Sequence, residues 1–177
     1  MYAVKIRILI VAALSVLLVP ISALADTEAG AEAFKSKDFD LAPKELVPAA
    51  ETGDAKAMFV LGQMYSFGYG VKKDLAKALE FYRKAANLGH VPAQKEYGTA
   101  LAIGDGTEQN VSEGLKWLFI ASKAGHPAAQ QYALRFSKYM NRSVVFEARR
   151  NAAQWSRDFK RKTAEAEASG NTAAPGN

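Results

Sequence analysis

Apolar residues recur at helical spacing in two adjoining segments of the chain. In residues 55–66, Ala57, Leu61 and Met64 fall on one face, which predicts an amphipathic helix. A second apolar stripe begins at Leu75 and predicts a second helix. The stretch "FGYGVKK" between them is typical of a tight turn, because glycine adopts positive φ at little cost. The pattern therefore predicts a helix–turn–helix unit.

The same unit recurs 36 residues later. Matching residues at this offset include Gly53, Gly89 and Gly125; Ala57, Ala93 and Ala129; Gly62 and Gly98; Gly70 and Gly106; Phe81 and Trp117. A fixed period of this length indicates a repeat array, in which stacking of neighbouring units buries the core. Small residues at matching positions let helix axes approach to about 8–10 Å.

Cap signals set the predicted boundaries. Asp74 is predicted to cap one helix, and Asn110 with Glu113 resembles a capping box.

Two weaker helices are predicted at 28–36 and 39–52. The predicted organisation is a signal peptide (1–25), a half-repeat (26–52), two full repeats (53–88 and 89–124), a partial repeat with a capping helix (125–162), and a disordered tail (163–177).

The capping helix is predicted from an amphipathic stretch near the C-terminus. Its apolar side chains should cover the last repeat: Val144, Phe146, Ala148, Ala152 and Trp155. The partial repeat should begin with a helix that runs from near Pro127 to about Met140, ahead of the capping helix. From Thr163 onward, few side chains larger than alanine remain to be buried, which predicts disorder.

The N-terminus has the features of an export signal. Lys5 and Arg7 precede an apolar run, and Ala23 to Ala25 offer a small-x-small cleavage site. We expect cleavage between Ala25 and Asp26 and a periplasmic or secreted protein. The alternative is a retained inner-membrane anchor, because the apolar stretch extended to Ala25 approaches spanning length.

Composition narrows the function classes. The formal net charge is +5, and removal of Lys5 and Arg7 lowers it to +3, which is not typical of a nucleic-acid-binding protein. The chain has no cysteine, so no disulfide holds an exported form together. We expect a monomer whose partner is another protein rather than nucleic acid.

The first full repeat resembles the Sel-one-like repeat, a relative of the tetratricopeptide repeat. The resemblance rests on Leu61-Gly62, Met64-Tyr65, Gly68-x-Gly70-Val71, Asp74, Lys77-Ala78, Phe81-Tyr82, Ala85-Ala86 and Gly89-His90. The second repeat is looser, with Leu101, Thr107 and Gly114 at departing positions. The resemblance implies an all-α, right-handed superhelical solenoid of antiparallel helix pairs with a C-terminal capping helix. It also implies an adaptor for other proteins in envelope, signalling or host-contact settings.

The two histidines, His90 and His126, occupy equivalent places, and Asp54 stands at the same place one repeat earlier. One hypothesis is a metal bridge between repeats. Zinc needs three or four protein ligands, and Asp54 lies two repeats from His126. We therefore favour a capping role at each inter-repeat turn and expect no metal site.

No recognisable catalytic constellation is present. No serine has a lysine three residues later, and the paired glycines lack the strand and third glycine of a nucleotide loop. We expect neither an enzyme nor a cofactor. The alternative is a binding protein or hydrolase for cell-wall fragments or small molecules.

In solenoids of the resembled type, the first helices line the concave groove. The outward positions predicted to bind a partner segment are Lys56, Phe59, Val60, Gln63, Lys95, Glu96, Thr99, Gln131 and Arg135. Phe59 and Val60 are predicted as apolar anchors, and the alternative is that they pack against the preceding half-repeat.

The capping helix also carries a basic patch. Its members are Arg142, Arg149, Arg150, Arg157, Lys160 and Arg161. They form either a solvated outer face or a docking surface for an acidic partner, with weak contact to anionic lipid headgroups as a further option.

Overall fold

The computed structural model describes residues 21–170, whose regular structure is entirely helical. In chain order the described helices are α1 Ile21–Lys35, α2 Ala42–Glu51, α3 Ala55–Phe67, α4 Leu75–Asn87, α5 Val91–Ile103, α6 Val111–Lys123, α7 Pro127–Ser137 and α8 Arg142–Ala168. The predicted signal peptide up to Pro20, and residues 171–177 of the predicted tail, lie outside the described residues.

α3 and α4 lie within residues 53–88, and α5 and α6 lie within residues 89–124. The turn inside each pair begins at a left-handed glycine, Gly68 (φ 78°) or Gly104 (φ 81°). The second helix of each pair starts at a side-chain cap: Asp74 accepts from the Lys77 amide and Asn110 from the Glu113 amide. The boundaries follow directly from these caps.

The predicted capping box at Asn110 is incomplete. Glu113 does not return a bond to the Asn110 amide, because that amide donates to the Leu101 carbonyl at 2.8 Å. The Glu113 carboxylate instead accepts from Trp117 Nε1 at 2.9 Å and pairs with Lys116. Glu113 therefore orients a large aromatic side chain as well as its own helix.

α5 and α6 contact each other through two glycines, Gly98 and Gly114. A Cβ added at Gly114 would lie 2.6 Å from the Gly98 carbonyl oxygen, and one at Gly98 would lie 2.9 Å from the Gly114 oxygen. Both distances are too short for any side chain, so only glycine allows this backbone contact. In the first repeat, Gly62 instead meets the ring of Tyr82.

One apolar core runs through the stack, and a second, smaller cluster joins α6 to α7. The largest fully buried side chains are Leu46, Leu61, Met64, Leu115 and Leu118, together with Gln94. These residues come from four of the described helices (α2, α3, α5 and α6), so neighbouring pairs complete each other's core.

The N-terminal segment contains a helix pair, α1 and α2. Gly70 approaches the Phe39 carbonyl oxygen, and Gly106 approaches the Leu75 carbonyl oxygen. Phe39 and Leu75 are themselves 36 residues apart, so α1 and α2 continue the repeat register. α1 begins at Ile21, earlier than the predicted residue 28, and α2 covers Ala42–Glu51 instead of 39–52.

The C-terminal helix departs from the prediction at both ends. α8 contacts α6, where Ala148 and Ala152 are buried, whereas Phe146 is 66% exposed. The prediction that Phe146 covers the last repeat is wrong, because it lies in the first two turns of α8, before the buried contact begins at Ala148.

The predicted disorder from Thr163 is wrong up to Ala168. Alanine and glutamate favour helix there, and the Thr163 hydroxyl donates to the Phe159 carbonyl at 3.0 Å.

Replacing Gly98 or Gly114 by alanine should destabilise the protein. In an unconstrained helix this change stabilises by about 1 kcal/mol, but here the new methyl group meets backbone atoms and the helices must separate. We expect a loss of about 1–3 kcal/mol in the free energy of unfolding, measured by urea denaturation.

The matched control is Ser112→Ala on the exposed face of α6. An increase in stability for Gly98→Ala would show that the α5–α6 contact is looser than described.

Candidate functional site

The inter-repeat turns fix where the first helices of the repeats begin. Asp54, His90 and His126 are the N-caps of α3, α5 and α7. Asp54 Oδ1 accepts from the Ala57 amide at 2.7 Å, and each histidine Nδ1 accepts from the amide three residues later, at 3.3 Å for His90 and 3.4 Å for His126. The capping interpretation is confirmed, and the caps set a common start for the outward-facing side chains.

His90 is packed more tightly than a simple surface cap. Its ring lies 4.8 Å from the Phe59 ring, centroid to centroid. Burial lowers the pKa of His90, with a smaller contribution from Lys56, while Asp54 acts in the opposite direction. The neutral imidazole is the form that can accept the amide hydrogen bond at Nδ1.

We call the outward-facing side chains of α3, α5 and α7 the A-face: Lys56, Phe59, Gln63, Lys95, Glu96, Thr99, Gln131 and Arg135. Lys56, Gln131 and Arg135 are exposed, and the other five are half-buried. Lys95 pairs with Glu96, and the Thr99 hydroxyl donates to the Lys95 carbonyl at 2.8 Å. The centre of the A-face is therefore ordered by its own contacts, and its two ends carry solvated cations.

The two predicted apolar anchors are not equivalent. Val60 is only 7% exposed and belongs to the main core, so its prediction as a groove anchor is wrong. Phe59 is half-buried, and its ring contacts Tyr82 of α4 (5.9 Å) and His90 (4.8 Å). Both ring partners follow Phe59 in the chain, and Phe59 also packs against the main core, which includes Leu46 and Ala49 of the preceding helix pair. Contacts within the protein therefore occupy part of the Phe59 ring.

The predicted basic patch is exposed along α8, and several members already have partners. The Arg149 guanidinium lies over the Phe119 ring at 4.7 Å, and Arg161 pairs with Asp158 at 3.0 Å. Arg157 donates to the Gln154 side chain at 2.6 Å. Helical neighbours on α8 thus occupy part of the patch.

Sequence reasoning missed two grooves. The first groove lies between α2, α3 and α4, encloses about 420 Å³, and is lined by Val47, Ala50, Met58, Leu61, Phe81 and Lys84, with Glu51 at its edge. The second groove lies on α5 and α6 and is partly filled by α8, which leaves a cavity of about 290 Å³. The A-face residues line neither groove. The match of Phe81 and Trp117 at the 36-residue offset indicated that the two repeats have equivalent aromatic positions. It did not show where α8 lies.

Residues 55–90 and 91–126 each match the Sel1 repeat family. These two segments are therefore similar to Sel1 repeats. A protective antigen of uropathogenic Escherichia coli that displays an SLR fold superposes with a TM-score of 0.71 at 27% identity, over 75% of this chain and 29% of that protein. A Sel1 repeat protein from Oxalobacter formigenes superposes with a TM-score of 0.59 at 27% identity, over 64% and 88% of the two chains.

A curated relative, the DAP3-binding cell death enhancer 1 of Rattus norvegicus, is 43% identical over 47 residues. Those residues are 27% of this chain and 9% of the relative, so the match covers a small part of it. The fold is an all-α Sel1-type solenoid with a C-terminal capping helix. Sel1 repeat proteins are generally scaffolds for protein–protein interactions, and their solenoids are typically non-catalytic.

Acidification should weaken the fold through His90. Its folded-state pKa lies below the ordinary value for histidine because of burial, so the unfolded chain binds the proton more readily. The stability that this histidine contributes is present above about pH 6.5 and is lost as the pH falls below that value.

His90→Asn keeps a side-chain cap but does not titrate in this range. Urea unfolding at pH 7.5 and pH 5.5 should show a smaller decrease in stability for the variant than for the wild type. An equal decrease in both proteins would contradict the assignment to His90.

Proposed function

We propose that this protein is an exported adaptor that binds a segment of another envelope or secreted protein on its A-face. In this role it acts as a scaffold, assembly factor or regulator of an envelope complex. The carrying observation is the row of outward-facing side chains, repeated every 36 residues, on a fold generally used for protein–protein interaction. The row is short, so the proposed target is a single peptide or helix bound with modest affinity.

The charge of the A-face favours a partner with carboxylates. Lys56 lies on α3 and Arg135 on α7, and both side chains are exposed. Between them, Lys95 and Glu96 neutralise each other. A segment with acidic residues toward its two ends and uncharged polar residues between them would match this pattern.

Export rests on the N-terminal pattern of Lys5, Arg7 and Ala23 to Ala25. Cleavage after Ala25 keeps Thr27, whose hydroxyl donates to Asp54 at 3.0 Å and attaches α1 to the first full repeat. Within residues 21–170, no helix is both long and apolar enough to cross a lipid bilayer. Mass spectrometry of the mature protein tests the proposal: Asp26 as first residue supports it, and a retained Met1 supports the membrane-anchored alternative.

The A-face is tested by affinity capture from an envelope extract with Lys56→Glu/Arg135→Glu. Both side chains are exposed, so circular dichroism should show an unchanged helix content. We expect the variant to lose most of a partner that the wild type enriches, because both cations at the ends of the A-face are reversed.

The matched control reverses an exposed cation on α8, Arg150→Glu, and should retain the partner. Loss of the partner with Arg150→Glu but not with the A-face variant would transfer the site to the basic patch. Capture of no protein by the wild type would count against the adaptor function.

A further inference from the structure

The first groove is the repeat equivalent of the groove that α8 partly fills. In the second groove, Gln94, Trp117 and Ile120 lie beneath or beside the aromatic side chains of α8. The residues one period earlier are Met58, Phe81 and Lys84, and all three line the first groove. The chain therefore contains two related grooves, one of which already shows how a helix binds.

α8 uses two aromatic side chains four residues apart. The Trp155 ring lies 5.3 Å from the Trp117 ring in an edge-on arrangement, and stacks on Phe159 at 4.9 Å. Phe159 rests against Gly89, where an added Cβ would lie 2.5 Å from Cζ of its ring. Ala152, one turn earlier, is 5% exposed and brings the helix close to the core. The second groove thus accepts a helix that has a small residue followed, one turn later, by the first of two aromatic side chains four residues apart.

The first groove is uncovered in the described part of the chain. Gly53 is the equivalent of Gly89, yet an added Cβ there would meet no atom within 4 Å. Val47 on the wall of the groove is 41% exposed, although it is an apolar residue. A helix that bound the first groove as α8 binds the second would lie over Gly53 and Val47. Open space lies above Gly53, and the apolar side chain of Val47 is exposed.

We propose that the first groove binds an amphipathic helix of a partner protein that carries two aromatic side chains four residues apart. The apolar part of the lining buries the rings. Lys84, which pairs with Glu80 at 2.7 Å, and Glu51 supply charged groups for the flanks of the helix. The proposal rests on the adaptor function but assigns it a surface other than the A-face.

A second copy of this chain is a poorer occupant than a partner. The aromatic pair of α8 already lies in its own second groove, next to Trp117 and Gly89. Donating α8 to another copy would empty that groove to fill the first, so few contacts would be gained to offset the entropy lost on association. A helix from another protein has no such competing site.

The test uses the full chain and a fluorescently labelled peptide with the sequence of α8, residues 142–168. Fluorescence anisotropy should show saturable binding to the wild type. A scrambled peptide of identical composition keeps the charge but loses the aromatic spacing, and should bind at least about tenfold more weakly. A peptide with Trp155→Ala and Phe159→Ala should show a similar loss.

On the protein, Val47→Arg places a charge on the exposed wall of the first groove and should weaken peptide binding about tenfold or more. The matched control is Leu134→Arg, which changes a side chain that is 59% exposed on α7. It should bind the peptide as the wild type does. Circular dichroism of both variants excludes a general loss of helix.

Three results would overturn the inference: equal binding of the scrambled peptide, unchanged binding to Val47→Arg, or a stable dimer of the wild type that Val47→Arg dissociates.

The A-face variant Lys56→Glu/Arg135→Glu should still bind the peptide. Partner capture that depends on the A-face, together with no peptide binding, would overturn only this inference. Peptide binding without any captured partner would count against the proposed function instead.

Discussion

The structure depends on the close approach of helices that small residues permit. Gly98 and Gly114 bring the backbones of α5 and α6 into direct contact, and Gly62 allows Tyr82 to pack on α3. The alanines at the repeat positions 57, 93 and 129 are completely buried. At such distances the helices have little room to slide or rotate, so the outward-facing side chains of each pair are fixed relative to the next. The A-face and both grooves depend on that fixed spacing.

Two kinds of surface result, and they differ in chemistry. The A-face is mostly polar and internally paired, which suits a partner recognised by charge and orientation. The grooves are largely apolar, and Phe81 lines the first while Trp117 contacts the aromatic side chain that fills the second, which suits a helix that buries its own aromatic side chains. α8 shows that one groove is used within the chain. α8 packs against α6, the second helix of the preceding pair.

The sequence predicted the full repeats well because their boundaries are set by local chemistry. Asp74, Asn110 and the left-handed glycines act within one helical turn, and their effects do not depend on the rest of the fold. The position of Val60 could not be predicted in the same way. Phe59 and Val60 are neighbours on one helix and point about 100° apart, so only the packing of the adjacent helices decides which is buried. The path of α8 was also beyond prediction, since an amphipathic pattern shows which face is buried but not what covers it.

The most direct test is amide hydrogen exchange of the full chain, alone and saturated with a partner captured from the envelope extract. We predict slower exchange in α3, α5 and α7, because the bound segment would cover the A-face and stabilise those helices. Slower exchange confined to α8, with no change in α3, α5 and α7, would contradict binding on the A-face and place recognition on the basic patch.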